Sequence, residues 1–131
     1  MITIHDTEYV TVSFDEEHKI MEVKWKDANF TSEQYRETFE KAIEFAQNTK
    51  ADFFISDIVK QRVVNPNDRK WFEESAIPRA AATGLIKAGI ILGANPFKRY
   101  YFNHIMKKVG NVNLPFKAFK NREDAVKWFL S

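Results

Sequence analysis

The side chains of this 131-residue chain that could carry chemistry are few and scattered. Three histidines, His5, His18 and His104, have no short spacing between any two, so no metal site is expected from them. There is no cysteine, which removes disulfides, thiolate metal sites and thiol nucleophiles. Four glycines form no P-loop, no Gly-rich dinucleotide loop and no Gly-x-Ser-x-Gly turn. The sequence therefore offers no catalytic set, no metal and no cofactor.

What remains is a group of polar residues beside predicted element ends. Asp57 closes an apolar segment, Asp52 to Ile58, and the carboxyl ends of parallel strands are where α/β sheets receive ligands. Asn65-Pro66 and Asn95-Pro96 each set a capping side chain before a proline at the first helical position. With Gly93 to Asn95 they can line a small polar cleft whose helix starts favour an anion. Lys98 and Arg99 follow at once, and Trp71 lies on the helix after Asn65. Asp57, Asn65, Trp71, Asn95, Lys98 and Arg99 are thus the candidate ligand- or partner-binding residues. The plainer reading, which outweighs it, is that Asp57, Asn65 and Asn95 only cap helices and turns.

Lys98-Arg99-Tyr100-Tyr101-Phe102 mixes cations with aromatics, as single-stranded nucleic-acid binders do. At helical spacing, however, Phe97, Tyr101, Ile105 and Val109 make one core stripe, leaving Tyr100 and Phe102 outside. A core helix with a basic outer face explains the segment better than a nucleic-acid site. Charge is uneven along the chain: Met1 to Thr83 carries 11 basic and 16 acidic residues, Gly84 to Ser131 carries 9 and 2, giving −5 and +7 and a total of +2. The basic C-terminal third can attract phosphate, anionic lipid or an acidic protein; it can equally be a solvated face paired with the acidic N-terminal elements.

These residues need elements to position them. Glu8 to Phe14 and Lys19 to Lys26 alternate at period two around a short polar turn, which predicts a β-hairpin with Met21, Val23 and Trp25 facing the core. Thr31 with Gln34 three residues on is a capping box. The helix it opens carries Tyr35, Phe39, Ala42, Ile43 and Ala46 on one face. Asp52 to Ile58 and Ile86 to Leu92 are short apolar runs, as expected of interior strands. The helix from Pro66 carries Trp71, Phe72, Ser75 and Ala76 until Pro78 kinks or ends it, with a second helical piece at Ala80 to Ala82. Phe116 to Phe119 reads as an edge strand, and Asn121 with Asp124 opens a last helix that turns Ala125, Trp128 and Phe129 inward.

The order β-β-α-β-α-β-α-β-α predicts one α/β domain over residues 1–131, with a single mixed, mostly parallel sheet of about five strands. No window approaches the roughly 20 apolar residues of a membrane-spanning helix. The N-terminus lacks the basic start and apolar run of a secretion signal, so a cytoplasmic protein is expected.

On this order, and on Val23-Lys24-Trp25, Phe53-Phe54-Ile55-Ser56-Asp57, Trp71, Ala88-Gly89-Ile90 and Asp124 to Leu130, the chain resembles the STAS-like family. That is the domain type of anti-sigma-factor antagonists, and the match is to short divergent members grouped with CRAL-TRIO-type lipid-binding domains. The antagonists carry a phosphorylatable Ser or Thr where the helix after the central strand starts. This chain has Asn65-Pro66-Asn67-Asp68 there, so their phospho-switch does not transfer. The element order and the missing catalytic motifs point to a non-enzymatic regulatory or protein-interaction module whose partner can be a second copy of itself. The aromatic content and the lipid-binding relatives imply an alternative, a carrier or sensor of a small apolar, amphipathic or anionic ligand. An enzyme using Asp57 is the weakest of the three.

Overall fold

The computed structural model describes residues 1–109 and 112–131. Its centre is one mixed sheet of six strands in the spatial order β1 to β6: β1 (Ile2–Asp6), β2 (Val10–Asp15), β3 (Ile20–Trp25), β4 (Phe53–Asp57), β5 (Lys87–Ile91) and β6 (Phe116–Phe119). β1, β2 and β3 pair antiparallel, and β3 to β6 pair parallel. The strand count is six where about five were expected. The additional strand is β1, a five-residue edge strand with no buried residue, whose ladder to β2 shifts register between Thr3 and His5; its brief alternation marks no buried face.

Five α-helices accompany the sheet: α1 (Ser32–Thr49), α2 (Pro66–Trp71), α3 (Ile77–Ala81), α4 (Pro96–Lys108) and α5 (Arg122–Phe129). Because each parallel strand lies beside its predecessor, right-handed crossovers send every connecting helix to the same face of the sheet. On that face Met21, Val23, Trp25, Phe54, Ala88 and Ile90 meet Phe39, Ala42, Ile43, Phe72 and Ile105. Each large apolar side chain buried there contributes about 1.5–3 kcal/mol. The opposite face is covered by α5, whose Ala125 and Phe129 pack on Ile20, Phe53, Ile55 and Ile91. Phe53 and Phe129 stack with centroids 4.6 Å apart. Gly89 allows this approach, since a β-carbon there would lie 3.4 Å from the Phe119 and Phe129 rings.

Local chemistry explains the helix starts. Thr31 and Gln34 form the expected capping box, and Asn65, Asn95 and Asn121 each accept backbone N–H groups of the turn that follows. α2 and α3, expected as separate or kinked pieces, are joined by a π-helical turn over Phe72–Ala76. Ile77 N–H bonds to the Phe72 carbonyl five residues back, and this wider turn accommodates Pro78, which lacks an N–H, inside a continuous rod.

α4 departs from its expected stripe at two positions, Phe97 and Phe102. Phe102, Ile105 and Val109 are buried, while Phe97 is 83% exposed. Phe102 stacks on Phe116 of β6, 5.5 Å between centroids, whereas Phe97 sits in the first turn, at the end of the helix where the chain leaves β5.

Candidate functional site

The loops that leave the carboxyl ends of β4 and β5 enclose an open cleft of about 740 Å³. Its apolar lining is Ile58, Val63, Val64, Phe97 and Tyr101; its cations are Arg62, Arg69 and Lys98; and Asn29, Gln61 and Asn95 add amides. No carboxylate lines it. Val63 and Phe97 stand at 86% and 83% exposure, with Tyr100 also exposed one turn along α4.

The cations differ in what they already do. Lys98 reaches across from α4 and its Nζ donates to the carbonyls of Ile58, Val59 and Gln61, tying the β4–α2 loop to the helix. Burial pushes its pKa down, opposed by the charge of nearby Asp57. Arg62 donates to Asp27 (3.0 Å) and Asn29 (2.9 Å), which fastens the same loop to the one after β3. Arg69 is different. Its guanidinium carbon lies 4.8 Å from the centroid of the Tyr101 ring, and its Nε is buried with no hydrogen-bond partner. A buried donor without an acceptor costs about 1–3 kcal/mol. Burial also pushes the Tyr101 phenol up to about 12, so this hydroxyl stays protonated near neutral pH.

The helix start at the cleft is less available to an anion than its sequence suggested. Asn95 Oδ1 accepts from the N–H groups of Phe97 and Lys98, Arg99 N–H bonds to the Asn95 carbonyl, and Pro96 has none.

The six candidate residues do not share one place. Asn95 and Lys98 line the cleft. Arg99 is exposed on α4 outside the lining. Asn65 caps α2 and bonds within the α1–α2 seam. Strand alternation separates Asp57 from the cleft: Ile58 joins the helix-side core, and Asp57 lines a second, shallower cleft of about 260 Å³ with Lys24, Lys60, Lys120 and Arg122. Its Oδ1 accepts from Val59 N–H, 3.1 Å. Trp71 is half-buried in the α1–α2 seam, between the guanidiniums of Arg36 (5.4 Å) and Arg79 (5.9 Å).

That seam holds a closed polar network. Asp68, 1% exposed, accepts from Ser32 Oγ (2.7 Å), Arg36 Nε (3.0 Å) and Asn65 Nδ2 (2.8 Å), while its own N–H donates to Asn65 Oδ1 (2.8 Å). On the α5 side Arg122 donates to Glu22 (2.6 Å) and Asp15 (3.5 Å). Burial alone would raise the Asp15 carboxyl; the hydrogen bonds from His18 and Arg122 outweigh it and hold the pKa below its usual value. Asp15, Glu17 and His18 bring one ligand atom each within 4.8 Å of one another, but Asp15 is already engaged by His18 and Arg122.

Sequence reasoning missed Arg62, Arg69 and Val63, and assigned Tyr101 to the core alone. No local signal marks Arg69, because its position over Tyr101 arises from the packing of α2 against α4. Among the described residues no helix is long and apolar enough to cross a membrane. No family model, no curated protein and no solved structure matches the chain.

Proposed function

We propose that the chain is a non-enzymatic regulatory module of STAS-like fold that takes a small amphipathic ligand into the cleft at the carboxyl edge of its sheet. The cleft carries this reading. Its volume of about 740 Å³ lies within the roughly 300–1,000 Å³ of small-molecule sites, and its lining sets Ile58, Val63, Val64, Phe97 and Tyr101 among cations and amides, the mixture an amphipathic ligand requires. It also lacks what an acid–base catalyst needs. The lining contains no carboxylate or imidazole, the Lys98 ammonium is held by three loop carbonyls, and the one hydroxyl, on Tyr101, is pushed up to about 12.

The test is a nuclear magnetic resonance titration of the ¹⁵N-labelled chain with a mixture of naphthalene-bearing alcohols, acids and phosphates. Saturable shifts confined to amides of Ile58 to Val64 and Phe97 to Tyr101 are expected. Shifts centred elsewhere, or none, overturn the reading.

A second reading, protein docking at the same edge, is favoured by the exposed apolar side chains Val59, Val63, Phe97 and Tyr100, since such clusters mark interaction surfaces. A second copy of the chain is the partner that can be tested directly. Sedimentation equilibrium of the wild type and Phe97→Ser supports this reading if a dimer dissociates in the variant, and a monomer in both removes self-association.

A further inference from the structure

We infer that the cleft receives one anionic group, a carboxylate or a phosphate monoester, at Arg69, with the apolar body of the ligand along Tyr101, Val63 and Phe97. This deepens the reading of the cleft as a ligand site and rests on it. Arg36, Arg62, Arg79 and Arg122 each pair with a carboxylate of this chain. Among the described residues Arg69 and Arg99 pair with none; Arg99 lies outside the cleft lining, whereas Arg69 lines it and its buried Nε has no acceptor.

Both nearby carboxylates are directed elsewhere. Asp68, the preceding residue, bonds to Ser32, Arg36 and Asn65. Glu73, four residues on and at the spacing for a helical ion pair, pairs instead with Lys108 of α4 at 3.5 Å. Arg69 is nevertheless held in place by Tyr101, 4.8 Å from the ring centroid. A planar guanidinium fixed on an aromatic face, with donors unmet, suits a carboxylate or phosphate better than it suits solvent.

The same accounting limits the ligand to one anionic group. Lys98 is occupied by three loop carbonyls, Arg62 by Asp27 and Asn29, and the first N–H groups of α4 by Asn95. Among the described residues that line the cleft, a polyphosphate would find one cation not already engaged, so nucleotides are not the class. The lining beside Arg69 is apolar and aromatic, which fits an aryl or alkyl acid.

Calorimetric titration of the full chain with 2-naphthoate, 2-naphthyl phosphate, 2-naphthylmethanol and inorganic phosphate tests this, using the wild type, Arg69→Gln and Arg69→Lys. The wild type is expected to bind one of the naphthyl anions about ten-fold or more tightly than the alcohol. The tighter anion names the head group. Arg69→Gln should bring that anion down to the level of the alcohol without changing the alcohol's Kd, and Arg69→Lys should fall between.

Equal binding of alcohol and anions by the wild type overturns the anion assignment while the cleft reading stands. A preference that survives in Arg69→Gln overturns the assignment to Arg69. Inorganic phosphate binding as tightly as naphthyl phosphate overturns the amphipathic character of the ligand. No binding of any probe overturns the cleft reading and this inference together. Melting curves of both variants without ligand, close to the wild type, show that the loss is not one of folding.

Discussion

Asp68 and Arg69 are consecutive residues of one short helix, yet the two regions they enter are opposites. Asp68 turns into the seam between α1 and α2, where three side chains donate to its carboxylate and the group is closed from water. Arg69 turns toward the cleft, where an aromatic ring supports it and its Nε has no acceptor. A buried charge survives in a fold when it is fully paired, and the seam meets that condition within the chain itself. The cleft does not. One residue of α2 thus holds the helix layer together, and the next brings a guanidinium without a carboxylate partner to the cleft lining.

The seam should break hardest. Asp68→Ala leaves Arg36, Ser32 and Asn65 without their common acceptor and should cost about 3 kcal/mol or more in urea unfolding; a loss under roughly 1 kcal/mol would mean that the network is ornamental. Trp71→Ala removes the half-buried ring that lies between Arg36 and Arg79 over the same seam. Its expected cost is roughly 2 kcal/mol, below the 3–5 kcal/mol of a fully buried Trp, and a cost at the top of that range would show tighter packing than the geometry gives.

On the cleft side, pH sharpens the contrast. The Tyr101 phenol titrates at about 12 against an ordinary 10.0, because burial disfavours the phenolate. A folded-state pKa raised in this way contributes stability that is complete below pH 10 and lost as pH rises through 12. The lost term is about 3 kcal/mol at most. Unfolding midpoints of the wild type should therefore fall between pH 10 and 12, and those of Tyr101→Phe should fall less; identical slopes would place Tyr101 in water. The smallest change belongs to Arg69→Gln without ligand, within about 1 kcal/mol of the wild type in either direction, since the variant removes a charge that has no partner.

What could be read from the sequence was local. Thr31 with Gln34, and the asparagine caps at 65, 95 and 121, follow from hydrogen bonds made within three residues, and all four occur. The two interior strands followed from apolar runs and do lie side by side, Phe53 opposite Lys87 and Asp57 opposite Ile91. Features set by distant contacts were hidden. β1 buries no residue and so left no buried-face pattern, the π turn let Pro78 stay inside a helix, and Phe102 turns inward to stack on Phe116 while Phe97, in the first turn of α4, faces out. The cleft belongs to this second group. Arg69 reads in sequence as a solvated helix residue, and only the approach of α4 sets Tyr101 beneath it, whereas Asp57, the more conspicuous residue, faces the α5 side by strand alternation.

Thermal unfolding of the wild type, Asp68→Asn and Arg69→Gln, each with and without saturating 2-naphthyl phosphate, tests the division between residues 68 and 69 most directly. Ligand binding to the folded state raises the melting temperature by mass action. The expected result is that Asp68→Asn melts well below the wild type but keeps the ligand-induced rise, while Arg69→Gln melts close to the wild type and loses it. An Arg69→Gln protein that keeps the full rise, or that is destabilised as far as Asp68→Asn, contradicts the account.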